Sequence, residues 1–438
     1  MKRLQEKYKL SQYNVFHQDG DVLYVWNTYS SALLKLDKSS QDYIRSFSGI
    51  DDKSYEFNLL KDNGFIVYEE LDEFGRVCLE EKQAYFTHNP DYVEIVIILG
   101  MGCNSNCSYC FQATQATDRT GAMTPKTAEK VVEYICEQLK NNQNAKKLYI
   151  MWFGGEPLLY LDTMEFISRK LIKYAQQNNI EYVAGVPTNG LLLDEKCFNK
   201  LQEFHVKEIQ ICLDGERDLH CKSKGISPEG FERIIDNICH VVGKTRFMLR
   251  LNIPNNDVNE AIALTDYLFI KRNLLGKVYL NFAYLCDYTL SPDDSRKAYI
   301  NYKHNFSLWV DYLYERYGLR VARPKRTVKL CYRASVSRSC IGHDGDLYTC
   351  LHYVGNKTKV KGSIWHGRFF NSAESMFYPT IDSPLRKKCS LCEYLPVCMG
   401  ECIKDCMTGI VRRDCRLDKQ EWLKLKLLEA GVLLKNKK

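Results

Sequence analysis

Apolar and polar positions fall into three regimes along the chain. Between Tyr8 and about Tyr92 the alternation is short-ranged. Tyr13–His17 and Val22–Asn27 flank Asp19–Gly20, and an Asp-Gly between two alternating runs predicts a β-hairpin. Ser31–Leu36 predicts a third strand, Ser39–Phe47 and Ser54–Asn63 predict helices, Phe65–Tyr68 a returning strand, and Glu70–Ala84 a charged helix. From Val93 to about Gly318 the pattern changes. Apolar runs of strand length (Val93–Leu99, Lys147–Phe153, Glu181–Pro187, Lys207–Leu213, Arg246–Ile253, Val278–Tyr284) alternate with stretches of helical length. Those helices are predicted over Pro125–Lys140, Asp162–Gln177, Asp194–Phe204, Gly230–Val242 and Asn259–Ile270. Such alternation predicts parallel βαβ units, an α/β fold, and six units suit a partial (β/α)6 barrel better than a closed eight-stranded one. Beyond Arg320 periodicity fades until a helix near Leu417–Leu434. Three domains are therefore expected, over residues 1–92, 93–318 and 319–438.

Composition narrows the class. The chain has 438 residues, 45% hydrophobic and 26% charged, as in a globular protein. No apolar stretch approaches the 18 residues or so that a bilayer span needs, and Met1 to Gln12 has no apolar core of a signal peptide. A cytoplasmic protein is expected. The excess of 61 basic over 54 acidic residues, +7, is too mild and dispersed to demand nucleic acid. The basic end from Lys424 to Lys438 reads as the solvated face of a terminal helix. With no export signal, the 19 cysteines are expected as thiolates rather than disulfides. Nine of them fall between Cys331 and Cys415, a segment so poor in core-forming runs that metal is expected to hold it together. Lone cysteines such as Cys78, Cys136, Cys197, Cys239 and Cys286 are expected to be small buried hydrophobes.

Cys103, Cys107 and Cys110 form a C-x3-C-x2-C triplet directly after the first barrel strand. Three thiolates this close can wrap one face of an iron–sulfur cube and leave the fourth iron open, whereas clusters are normally closed by four cysteines. Zinc is the plainer alternative, but it prefers tetrahedral closure and no fourth Cys or His lies near this loop in sequence. The end of a barrel strand is also where βα-barrels place their chemistry.

The triplet resembles the radical SAM signature C-x3-C-x-aromatic-C, with Tyr109 at the aromatic position. Gly154-Gly155-Glu156-Pro157 closes the second strand and resembles the GGEP motif of that superfamily. Thr188-Asn189-Gly190 closes the third strand, Leu213-Asp214-Gly215 with His220 nearby follows the fourth, and Arg250 and Asn252 lie on the fifth. The resemblance implies that the triplet holds a [4Fe–4S] cluster whose open iron is chelated by the amine and carboxylate of S-adenosyl-L-methionine (SAM). It implies SAM contacts at Gly154, Gly155, Glu156, Asn189, Arg250 and Asn252. Paired glycines let a backbone approach closely, and Glu156 can accept charge-assisted hydrogen bonds from the bound amino group. Cys212 stands where relatives often carry a ribose-contacting Ser.

Cys389, Cys392, Cys398 and Cys402 follow as C-x2-C-x5-C-x3-C, with Cys331, Cys340 and Cys350 upstream and Cys406 and Cys415 downstream. This resembles the SPASM domain of radical SAM enzymes. The resemblance implies two auxiliary [4Fe–4S] clusters, one on Cys331, Cys340, Cys350 and Cys402, the other on Cys389, Cys392, Cys398 and Cys415. Cys406 is the alternative final ligand, and some relatives leave the iron opposite Cys340 open for substrate. The N-terminal region resembles a winged-helix peptide-recognition domain, with a structural cap on the barrel as the plain alternative. Together these imply a maturase of ribosomally made precursor peptides, with a leader segment as docking partner and a flavodoxin- or ferredoxin-like protein as electron donor. A thioether cross-link is the favoured product. Carbon–carbon cross-linking, epimerisation and anaerobic sulfatase maturation are the alternatives within the class, although sulfatase maturases carry Asp where this chain has Leu351. A non-catalytic iron–sulfur or zinc scaffold is the alternative outside it, and leaves the strand-end motifs without purpose.

Overall fold

The structure is a computed structural model that describes residues 6–85, 90–112, 121–286, 290–320, 326, 339–368, 389–399 and 419–429. The chain divides into two compact units, one of residues 1–86, 319–331 and 379–438, the other of residues 87–318 and 332–378. The cysteine-rich segment read from sequence as one domain thus contributes to both.

The first unit begins with β1 (Tyr8–Leu10), β2 (Asn14–Asp19), β3 (Val22–Asn27), β4 (Leu33–Leu36), α1 (Lys38–Arg45), α2 (Tyr55–Asp62), β5 (Ile66–Tyr68) and α3 (Glu73–Tyr85). The hairpin β2–β3 closes at Asp19↔Val22, β4 adds antiparallel to β3, and β1 pairs antiparallel with β5. Side chains of Asp37 and Ser54 accept from Ser40 and Phe57 backbone N–H groups and so start the first two helices. Leu23, Val25 and Leu36 bury one face of the hairpin sheet against Ile44, Phe57, Leu60 and Phe65. Val15 and Trp26 pack instead with Tyr394 and Val397 of the Cys389–Met399 segment and with Trp422 and Leu423 of the helix Lys419–Glu429. That packing corrects one expectation. Lys424 and Lys426 are only 5% exposed, with the Lys426 ammonium 5.9 Å from the centre of the Trp26 ring. The stem of a lysine covers apolar surface well, so a basic run need not be a solvated face.

The second unit is built on a ten-stranded sheet, order β11-β10-β9-β8-β7-β6-β12-β13-β14-β15. Six strands are parallel: β6 (Tyr92–Ile98), β7 (Lys147–Phe153), β8 (Glu181–Thr188), β9 (Val206–Leu213), β10 (Arg246–Leu251) and β11 (Tyr279–Phe282). Between them run α4 (Pro125–Lys140), α5 (Leu161–Gln177), α6 (Glu195–Glu203), α7 (Arg217–Lys224), α8 (Pro228–Val241) and α9 (Val258–Asp266), with α10 (Pro292–Tyr317) after β11. The partial barrel is borne out. Side chains on β9 and β10 alternate, Ile209, Ile211, Leu213, Phe247, Leu249 and Leu251 being buried while Gln210, Cys212, Met248 and Arg250 stay half-exposed on the other face. The first set is the core, and the second lines the face on which chemistry can occur.

The sheet does not stop at β6. Strand β12 (Ser339–Ile341) joins it in parallel, and β13 (Asp346–Tyr348), β14 (Gly362–Ser363) and β15 (Gly367–Arg368) follow antiparallel. Among the scattered cysteines, Cys197 is buried, Cys78, Cys136 and Cys286 are half-buried, and Cys239 is exposed. Cys239 sits beside Ile238 on α8, one step round the helix from the buried stripe Phe231, Ile234, Ile235, Ile238 and Val241, which turns it to solvent. No helix of the described residues is long and apolar enough to cross a membrane.

Candidate active site

The cysteine loop leaves β6 and is fixed by three neighbours. Strand β7 ends in the paired glycines, where the Gly155 N–H donates to the Gly100 carbonyl at 3.0 Å and the Glu156 N–H to the Gly102 carbonyl at 2.9 Å. A Cβ on Gly154, which has φ +151°, would stand 2.4 Å from the Gly100 oxygen, and one on Gly155 2.3 Å from the Gly102 oxygen. Only glycine lets the two strand ends meet so closely. The pair therefore has a use that sequence reading missed, the seating of the cysteine loop itself. Tyr160, just beyond, accepts from the Gly102 N–H at 3.1 Å.

Glu156 is 1% exposed, and its carboxylate accepts from three protein donors. These are the Leu158 N–H at 3.0 Å, the Thr188 hydroxyl at 2.7 Å and the Asn189 N–H at 2.8 Å. Burial pushes the Glu156 carboxyl up, against the pull of those donors. Asn189 turns back to the cysteine loop, donating to Asn104 Oδ1 at 2.6 Å and to Ser105 Oγ at 3.1 Å. Strand ends two and three are thus bound to each other and to the loop.

The third support is α7. Its last carbonyls, on Ser223 and Lys224, accept from the Ser108 N–H at 3.1 Å and the Asn106 N–H at 2.8 Å. Side chains continue the attachment. The Lys224 ammonium donates to Tyr109 Oη at 2.8 Å and lies 3.3 Å from Asp214 Oδ1, while Tyr109 donates to the same Asp214 oxygen at 2.9 Å. Ser223 Oγ donates to Asp214 Oδ2 at 2.7 Å, and His220 Nδ1 accepts from the Asp214 N–H at 3.1 Å. Burial opposes the charge on Lys224, but Asp214 and Tyr109 around it hold its ammonium well above the ordinary lysine range. Burial holds the His220 imidazole down to about 3. Lys224 lies in a polar helix with no apolar stripe, so periodicity gave no signal for it.

Cys103 is exposed, and Cys107 and Cys110 are half-buried. Burial pushes the Cys107 thiol up to about 11, with Lys224 pulling against it. Among the described residues, no three His, Cys, Asp or Glu side chains converge closely enough to hold one metal ion. A cubane asks for no such convergence, because each thiolate takes its own iron. Three soft donors on a loop whose backbone is already pinned therefore fit one face of a [4Fe–4S] cluster.

Arg250 and Asn252 lie at the end of β10, with Arg250 in register with Cys212 and its Nε–H donating to Asn252 Oδ1 at 2.9 Å. Cys340 is fully buried on β12 opposite Val96, in a cluster with Ile98, Met101 and Tyr348 against which Cys350 packs. Phe111, next to Cys110, has its ring 4.7 Å from that of His352, two residues after Cys350. Sequence reading assigned neither ring. In the other unit, Cys389 packs beside Tyr13 and Val77, and Cys392 beside Trp26 and Tyr394. Cys398 ends a short helical turn, Leu395–Cys398. Cys331, Cys402, Cys406 and Cys415 lie outside the described residues.

A parallel strand array whose first strand end carries a pinned three-cysteine loop, braced by the next three strand ends, defines a βα-barrel enzyme built around an iron–sulfur site. The chain matches the Radical SAM superfamily over residues 97–265. It is 28% identical over 216 residues to the radical SAM cyclopropyl synthase TigE of Paramaledivibacter caminithermalis, a match spanning 45% of each chain. With the serine-type anaerobic sulfatase-maturating enzyme of Bacteroides thetaiotaomicron it shares 23% over 365 residues, 72% of this chain and 83% of that one. Its fold is similar to that of anSMEcpe with bound AdoMet (TM-score 0.53, 19% identity), covering 78% of this chain and 93% of the other.

Proposed function

We infer that this radical SAM enzyme matures ribosomally made precursor peptides and installs an intramolecular thioether cross-link. The observation that carries the reading is the attachment of the Cys103–Cys110 loop to the ends of β7, β8 and α7, with Cys340 on the strand added beside β6. Cys103, Cys107 and Cys110 would hold a [4Fe–4S] cluster that, with SAM, would supply the radical chemistry for taking hydrogen from the peptide. The chain's own part is to position and to exclude water. Asn104, Ser105 and Asn189 fix the exposed side of the loop. Gln210, Cys212, Met248 and Arg250 offer a half-polar face to substrate. Gly154, Gly155, Glu156, Asn189, Arg250 and Asn252 are the proposed SAM contacts.

Auxiliary [4Fe–4S] clusters are proposed on Cys331, Cys340, Cys350 and Cys402 and on Cys389, Cys392, Cys398 and Cys415. They would take the surplus electron or hold a substrate thiolate as the bond closes. Three domains, at 1–92, 93–318 and 319–438, are the functional parts proposed. In the N-terminal one the edge of β4, which among the described residues pairs with β3 alone, suits addition of the leader as a further strand. A flavodoxin- or ferredoxin-like donor in the cytoplasm completes the scheme.

The similarity to sulfatase-maturating enzymes supports a second reading, oxidation of a sulfatase residue, against which Leu351 and the N-terminal domain weigh. One experiment separates these. Anaerobically reconstituted enzyme should carry iron for three cubes and release 5′-deoxyadenosine with dithionite. A short peptide encoded beside the gene should then lose two mass units per cross-link. Turnover of a sulfatase peptide instead would favour the second reading, and zinc without SAM cleavage would end both.

A further inference from the structure

The loop that bears the cluster ligands shares its footing with a buried ion pair. Lys224 is tied to both flanks of Cys107. Its carbonyl holds the Asn106 N–H at 2.8 Å, and its ammonium holds the hydroxyl of Tyr109, two residues past Cys107, at 2.8 Å. The ammonium is 6% exposed and the Asp214 carboxylate fully buried, so water screens neither charge. A buried pair of this kind is weak evidence for stability, since desolvation commonly offsets the attraction. Four helical residues earlier, His220 faces Asp214 as a neutral acceptor and adds no charge. The cation is attached to the cysteine loop through both its carbonyl and its ammonium, whereas the anion meets the loop through the Tyr109 hydroxyl and is otherwise held at the strand end and by Ser223.

We propose that Lys224 is a positioning residue that sets the reduction potential of the cluster at Cys103, Cys107 and Cys110, its fixed charge favouring the reduced state. The inference rests on the radical SAM reading of that triplet. Adding one electron to a cluster adds negative charge, and an unscreened cation nearby stabilises the reduced form more than the oxidised. Asp214 holds the lysine in place, and Tyr109 couples both to the loop. The sign of the effect separates tuning from mere bracing.

The test is an EPR-monitored redox titration of reconstituted full-length enzyme, following the cluster whose signal SAM perturbs. Lys224→Met should move the midpoint to a more negative potential, and Asp214→Asn, which keeps the side-chain shape and removes the opposing negative charge, should move it to a more positive one. The double variant should fall between them. Should Lys224→Met fail to hold iron, the Asp214→Asn midpoint decides alone. Variants that hold a full cluster at the wild-type midpoint, or that shift in the same direction, overturn the proposal. A wild-type protein with no SAM-perturbed signal would overturn the radical SAM reading instead, which keeps the two failures apart.

Discussion

The backbone N–H of Asn189 donates to Glu156 Oε2 at 2.8 Å, and the Asn189 side chain reaches Asn104 at 2.6 Å. One residue thus transmits the position of a buried carboxylate to the loop that carries the cysteines. Glu156→Gln replaces an acceptor oxygen by an amide N–H that faces another donor. A buried donor left unsatisfied costs about 1–3 kcal/mol. The variant is expected to unfold at lower denaturant concentration and to bind SAM at least tenfold more weakly, measured by equilibrium dialysis. Unchanged affinity would show that the Asn189 relay does not matter to SAM.

Gly155→Ala tests the seating of the loop. The added methyl would meet the Gly102 and Met101 carbonyl oxygens at 2.3 and 2.5 Å, backbone atoms that cannot swing away. Overpacking of this kind typically costs roughly 1–3 kcal/mol. Loss of 5′-deoxyadenosine formation is expected with a near-native far-UV spectrum, because the clash is local to the strand end. Iron content measured per chain should fall by about one cube.

His220 gives an acid-side prediction. Its imidazole stays neutral in the fold down to about 3, whereas an unfolded histidine titrates near 6.5. Between those values the unfolded chain binds the extra proton and the folded one does not, so stability falls as pH drops through that window and is fully present above it. His220→Gln should therefore be less stable than wild type at pH 7, with the gap narrowing toward pH 4. Urea midpoints of the metal-free protein measure this. A gap independent of pH would contradict it.

The two kinds of cysteine should separate by assay. Cys107→Ala is expected to abolish SAM cleavage. Cys392→Ala, in the other unit, is expected to retain uncoupled cleavage but lose the peptide product. Equal loss in both assays would mean that the proposed auxiliary ligands have no separate role.

Most of the barrel was legible because its strands are continuous apolar runs bounded by turns, and Lys147–Phe153 and Pro125–Lys140 fall where periodicity put them. The cysteine triplet was legible because its spacing is itself chemical. Less could be read where packing overrides pattern. Helix α7 buries His220, Ser223 and Lys224 with no apolar stripe, so neither the helix nor its lysine was visible. The 26-residue α10 mixes tyrosines with charges and blurs its own face. Strand β1 is three residues long, too short for alternation to register. The predicted helix Asn259–Ile270 is instead α9 followed by a π-helical turn over Tyr267–Lys271, a change of pitch that periodicity does not resolve. The glycine pair was noticed but given a ligand to approach, when the nearest backbone is that of the cysteine loop.

Strand β12 pairs Ser339 with Ile95, Cys340 with Val96 and Ile341 with Ile97. One of the two partners of the first barrel strand is thus translated more than two hundred residues after it. Until then β6 leaves the ribosome with one open flank, the kind of apolar edge that recruits other chains. Premature termination ahead of Ser339 should accordingly yield inclusion bodies rather than a smaller working barrel, and synthesis of this enzyme becomes a race between its own late segment and its neighbours.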